Sequence, residues 1–181
     1  MTHLPPPPRS LGAADLAALG HLLPPTAQTM RRVLGDDATA ILINQRAGVQ
    51  LRIPLHRAAN TAGAERWAAL AYLIGDDATA AAAAQWGGGL LDVPLCQRLV
   101  AERRDRWLRA RYDQLTSPHG ARLSANAAIH QLAVALAHGG QPFTAREIEK
   151  ALTRTDIGPD DVAPEPPSNQ PQLWGDEEAA A

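Results

Sequence analysis

Apolar positions recur at helical spacing through most of the chain and fall to a short extended pattern in only two places. Residues 10–23 read as a short helix, with Ser10 as its cap and Pro24-Pro25 as its stop. Residues 26–34 continue as a helix to Gly35, where a positive φ is needed, and Asp36 or Asp37 then caps a helix over 38–46. Gly48 ends it, 49–53 are extended, and Pro54 follows. The same order returns as a helix over 64–74, Gly75, a helix over 78–86, the glycines Gly87, Gly88 and Gly89, a strand over 90–93, and Pro94. A long helix over 95–115 comes next, with Pro94 as its first residue and Leu95, Leu99, Trp107, Leu108 and Leu115 on its apolar side. Ser124 caps an apolar helix over 125–137. Thr144, in a capping box with Glu147, opens a last helix to about Thr153.

The recurrence is a duplication. Residues 34–55 and 74–95 align at a constant offset of 40, and 11 of 22 positions are identical, among them Gly35/Gly75, Asp36/Asp76, Thr39/Thr79, Leu51/Leu91 and Pro54/Pro94. One supersecondary unit of helix, turn, helix and short strand has been copied in tandem.

Charge refines this picture. The net charge of -2 hides a segregation: residues 98–154 carry ten basic and five acidic residues, and 155–181 carry seven acidic residues and no basic one. The tail beyond Thr153 is Pro-, Asp- and Glu-rich, with too little apolar content to offset its ordering entropy, and reads as disordered. Residues 1–9 read as a Pro-rich arm, without the charged and apolar regions of a signal peptide. The single cysteine, Cys96, allows no intrachain disulfide and reads as a small buried residue. The six histidines have no metal-ligand spacing, and Gly87-Gly88-Gly89 lacks the Lys-Ser/Thr of a phosphate loop. These absences point away from an enzyme and from any metal, cofactor or small-molecule substrate. Trp67, Trp86 and Trp107 read as core or interface anchors.

Two helices joined by a glycine-containing turn after a basic helix suggest a helix-turn-helix. Its second helix offers Thr144, Arg146, Lys150 and Arg154. The preceding helix offers Arg103, Arg104, Arg106, Arg109 and Arg111 for phosphate. An ordinary helical hairpin is the alternative.

The tandem glycine turns, the stretch Trp86-Gly87-Gly88-Gly89-Leu90-Leu91-Asp92-Val93-Pro94, the basic run Arg103 to Arg111 with Tyr112-Asp113, and the final helix pair together resemble the Mor (middle operon regulator) transcription activators of Mu-like phages, over about residues 22–153. The resemblance implies a dimerisation domain whose strands pair across a homodimer, and a C-terminal helix-turn-helix that enters the major groove of double-stranded DNA and helps recruit RNA polymerase. It also places Gly87, Gly88, Gly89, Leu90, Leu91 and Val93 near DNA or at the dimer interface.

The expectation is therefore a mainly α protein: a duplicated helix-turn-helix-strand dimerisation domain with short β-strands, then a basic helix and a C-terminal helix-turn-helix-like pair. The expected divisions are 1–23 (Pro-rich arm and short helix), 24–94 (tandem repeat), 95–154 (DNA-binding region) and 155–181 (acidic tail). The expected function is a cytoplasmic, sequence-specific transcriptional regulator of phage or prophage origin, an activator that works without a membrane. The alternative is a non-enzymatic dimer that has lost DNA reading and binds a protein. Asp92, Glu147 and Glu149, which would repel phosphate, favour it.

Overall fold

A computed structural model describes residues 6, 10–57 and 61–158. The Pro-rich arm, apart from Pro6, and residues 159–181 of the acidic tail lie outside them. The chain is mainly helical. In order come α1 (Ala13–Leu19), a 3-10 turn (Gly20–Leu22), α2 (Pro25–Arg46), β1 (Gln50–Arg52), α3 (Thr61–Ile74), α4 (Asp76–Trp86), β2 (Leu90–Asp92), α5 (Gln97–Thr116), α6 (Ala125–His138) and α7 (Ala145–Leu152).

The duplication is visible in the backbone. α2 is broken at Gly35 (φ 83, ψ 171), and α3 passes into α4 through Gly75 (φ 88, ψ 159). That region of backbone space is open essentially only to glycine, so the glycine at this turn is explained in both copies. Capping by the following aspartates is not what occurs. Gly75 is itself the N-cap of α4, and its carbonyl accepts from Thr79 N at 3.1 Å and Thr79 Oγ1 at 2.8 Å. Asp76 and Asp77 lie in the first turn, where a carboxylate complements the helix dipole. Asp36 instead pairs with Arg31.

β1 and β2 pair with each other, antiparallel, in the register Gln50↔Asp92, Leu51↔Leu91, Arg52↔Leu90. Leu51 and Leu91 are equivalent residues of the two copies, so a local twofold axis passes between them. The flanking hydrogen bonds obey it. Gly48 N donates to Val93 O at 2.7 Å and its counterpart Gly88 N to Ile53 O at 3.0 Å; Val93 N donates to Val49 O at 3.1 Å and Ile53 N to Gly89 O at 3.0 Å. The repeat thus closes its ribbon within one chain. An unpaired strand edge no longer calls for a second chain.

Two apolar cores result. The first joins α1, α2, α3, α4 and the ribbon, with Leu16, Met30, Leu42, Ile53 and Leu99 fully buried. The second joins α5, α6 and α7 through Leu108, Leu115, Leu132, Leu136 and Ile148. Two expected boundaries change accordingly. Residues 10–23 are not separate from the repeat, because Leu11, Leu16, Leu19, Leu22 and Leu23 belong to the first core. The divide at 94/95 is bridged by α5, which enters the first core with Leu99 and the second with Leu108 and Leu115. α1 is capped at Gly12 rather than Ser10, with the Asp15 carboxylate accepting from Gly12 N at 2.8 Å. α5 begins at Gln97 after Cys96 in a left-handed conformation (φ 49), which leaves Pro94 outside the helix and Leu95 exposed. The Ser124 cap and the Thr144–Glu147 capping box are present as expected.

Candidate nucleic-acid interface

Glu102 and Asp105 sit three residues apart on the inner side of α5 and are only 4% and 2% exposed. Buried carboxylates must be paired, because desolvating a lone charge is prohibitive. The arginines of the same helix pair them. Arg106 Nε lies 2.9 Å from Glu102 Oε1, a helical i, i+4 contact, and Arg109 Nη2 lies 3.2 Å from the same oxygen. Arg104 reaches Asp105 at 2.7 Å, and Arg154, beyond α7, reaches it at 3.1 Å.

The segment after α7 is drawn into this network. Asp156 pairs with Arg109 and lies 3.6 Å from Arg106 Nε. Arg109 Nη1 donates to the carbonyls of Ala151 and Arg154, each at 3.2 Å. Ile157 N donates to Glu102 Oε1 at 3.4 Å, and its carbonyl lies 2.9 Å from His21 Nε2. A cleft of about 500 Å³ remains between Arg98, Glu102, Asp105, Thr153, Arg154 and Ile157.

The row of arginines on α5 is therefore not an open comb for phosphate. Of the expected DNA-binding residues, Arg104, Arg106, Arg109 and Arg154 join the network, and Arg103 pairs with Asp15 of α1 at 3.0 Å. Arg104 also stacks 4.4 Å from the Phe143 ring centroid. Arg111 donates to Gln114 Oε1 at 2.6 Å. Thr144 caps α7. Arg146 and Lys150 are exposed on α7 and have no ion pair with a described residue; Arg98, on α5, shares both features.

α7 is short but firmly placed. Ile148 and Ala151 are buried in the second core, and the opposite face carries Arg146, Glu149 and Lys150. Glu147 is not a reading-face carboxylate. It turns back to accept from Thr144 N and Thr144 Oγ1, both at 2.8 Å, and those bonds hold its carboxyl below the usual carboxylate range. α6 and α7 are joined through residues 139–144, a longer turn than the three or four residues usual in a helix-turn-helix.

The segment expected near DNA or at the dimer interface divides by face. Leu91 and Val93 are buried in the first core, whereas Gly88, Gly89, Leu90 and Asp92 are exposed and Gly87 is half-buried. Cys96 is buried, and burial pushes its thiol up to about 11, far from a reactive thiolate. Trp86 and Trp107 pack against the first and second cores, and Trp67 Nε1 donates to Asp76 at 3.4 Å. Sequence reading missed the roles of Glu102, Asp105 and Asp156. The i, i+4 and i, i+7 spacing of Glu102 to Arg106 and Arg109 was the available signal.

Among the described residues no cluster of three His, Cys, Asp or Glu side chains could hold a metal ion, and no helix is long and apolar enough to cross a membrane. No known family profile, curated protein or solved structure matches the chain.

Proposed function

We propose that the chain is a dimeric, non-enzymatic transcriptional regulator of phage or prophage origin that binds double-stranded DNA in the bacterial cytoplasm and presents α7 to the major groove. The observation that carries the reading is the exposed face of α7, where Arg146 and Lys150 have no internal ion pair while Ile148 and Ala151 fix the helix to the second core. An element that reads base edges needs free donors on a rigid support. Internal pairing gives the α5 arginines a supporting role: Arg109, Arg106 and Arg154 tie the end of α7 and the segment after it to α5, and Arg103 ties α5 to α1. Activation through RNA polymerase contact is the mode the Mor resemblance suggests.

A gel shift on a pool of random duplexes at two salt concentrations tests this. Log affinity should fall with log salt by about 0.9 per neutralised phosphate. Arg146→Ala should relax sequence preference, because a base-edge contact specifies whereas a phosphate contact positions. Lys150→Ala should weaken binding to all duplexes. The extensive neutralisation of α5 favours a second reading, a protein-binding module without DNA reading. Absence of duplex binding at low salt would establish that reading over the first.

A further inference from the structure

The ribbon has one face in the first core and one that no described residue covers. Alternation sends Leu51 and Leu91 inward and Gln50, Arg52, Leu90 and Asp92 outward. The loop after each strand runs back past the start of the other strand. Leu95 Cδ2 lies 3.3 Å from where a Cβ on Gly48 would stand, and Leu55 Cδ1 lies 3.9 Å from the matching position on Gly88. Leu90 on the outer face and Leu55 and Leu95 at the two ends of the ribbon are 57%, 61% and 55% exposed. Apolar side chains gathered this way mark an interaction surface rather than scattered surface residues.

Charge follows the local twofold with its sign reversed. Arg52 and Asp92 occupy equivalent positions of the two copies, so a cation and an anion lie diagonally across the axis through the Leu51–Leu91 pair. Both are exposed, and neither has an ion pair with a described residue.

We propose that this outer face is the contact between two copies of the chain, with Arg52 of each copy set on the partner's Asp92 and the exposed leucines packed between the two pairs. A twofold axis in the plane of the face, at right angles to the Arg52–Asp92 diagonal, makes both pairs at once. Such a self-complementary patch is what an isologous interface requires. A DNA duplex fits the same face poorly, since it would meet Asp92 and exposed leucines with Arg52 as the favourable contact. The inference rests on the dimeric part of the proposed function and gives it a location.

The test is sedimentation of the full chain without DNA. The wild type should be a dimer at micromolar concentration. R52D and D92R should each loosen it by about a hundredfold, because each substitution sets like charges together at two places. The double variant R52D/D92R should recover wild-type association, since its charges are merely exchanged. Leu90→Arg should give a monomer, with the circular dichroism of a folded chain. A monomeric wild type, a dimer insensitive to R52D, or a double variant no better than the singles would each overturn the proposal. Loss of duplex binding by R52D with the dimer intact would overturn it as well, and would turn the ribbon toward DNA. A dimer that passes the charge exchange but binds no duplex leaves this interface standing and removes the DNA reading alone.

Discussion

Copy one (residues 34–55) and copy two (74–95) share a turn, a ribbon register and a set of hydrogen bonds, yet bury different things. Residues 41–44 of copy one are Ile-Leu-Ile-Asn; the matching 81–84 of copy two are four alanines. Leu42 and Ile43 are buried, Ile41 packs against the first core, and Asn44 grips the backbone of Leu11 from both sides, accepting from its N–H and donating to its carbonyl at 2.8 Å each. In copy two, Ala82 is buried against the core and Ala84 is exposed. Copy one has become the centre of the first core, with α1 laid over α2 and α5 meeting α1 and the 3-10 turn. Copy two packs α4 on both α2 and α3, and its inward side chains there are the small Thr79 and Ala82. Symmetry is kept where the copies meet and lost where only one of them is covered.

The largest expected effect lies in that block. Leu42→Ala gives copy one the residue copy two already has, and should cost about 2–5 kcal/mol in urea unfolding. The reverse change, Ala82→Leu, overfills the α2–α4 contact and should cost about 1–3 kcal/mol. If Leu42→Ala were neutral, the copies would be carrying equal loads and the asymmetry would be superficial. Next come the shared turns. No atom lies within 4 Å of a Cβ built on Gly35 or Gly75, so alanine there meets backbone strain alone. Each substitution should cost about 1–3 kcal/mol, and the two should agree closely. A clear inequality would show that the turns are not equivalent.

The smallest effect is the most discriminating, because it changes sign. Thr39 and Thr79 are both fully buried, but Thr79 Oγ1 donates to Gly75 O while Thr39 Oγ1 has no hydrogen-bond partner. Thr79→Val should destabilise by about 1 kcal/mol, and Thr39→Val should stabilise by a similar amount by removing an unsatisfied buried hydroxyl. Thermal melts of the two variants should move in opposite directions.

Local rules of sequence were enough for much of the fold. The offset of 40 and the glycines at 35 and 75 define the repeat before any coordinate is known, and the Thr144–Glu147 spacing places the start of α7. Contacts that depend on the path of the chain were not legible. Strand residues 49–53 and 90–93 carry no sign of whether they pair within or between chains, because both arrangements satisfy the same backbone groups. α1 read as a peripheral helix, since its apolar residues find their partners on α2 and α5, far along the sequence. The basic helix was read by counting its charges, which cannot show that Glu102 and Asp105 lie beneath the arginines, or that Asp156 returns to them from beyond α7. Arg146 and Lys150 kept their expected exposure because the hydrophobic stripe of α7 orients the helix by itself.

Placing both strands of the ribbon on one polypeptide also changes its response to dilution. Strands joined by a tether meet at an effective concentration set by the connecting chain, and the closure entropy grows only slowly with its length. Formation of this ribbon is therefore a first-order event. A ribbon assembled between separate chains would melt at lower temperature as the protein became scarce. Here closure of the ribbon itself carries no such dependence, and a midpoint that shifts with abundance would report the contact between copies.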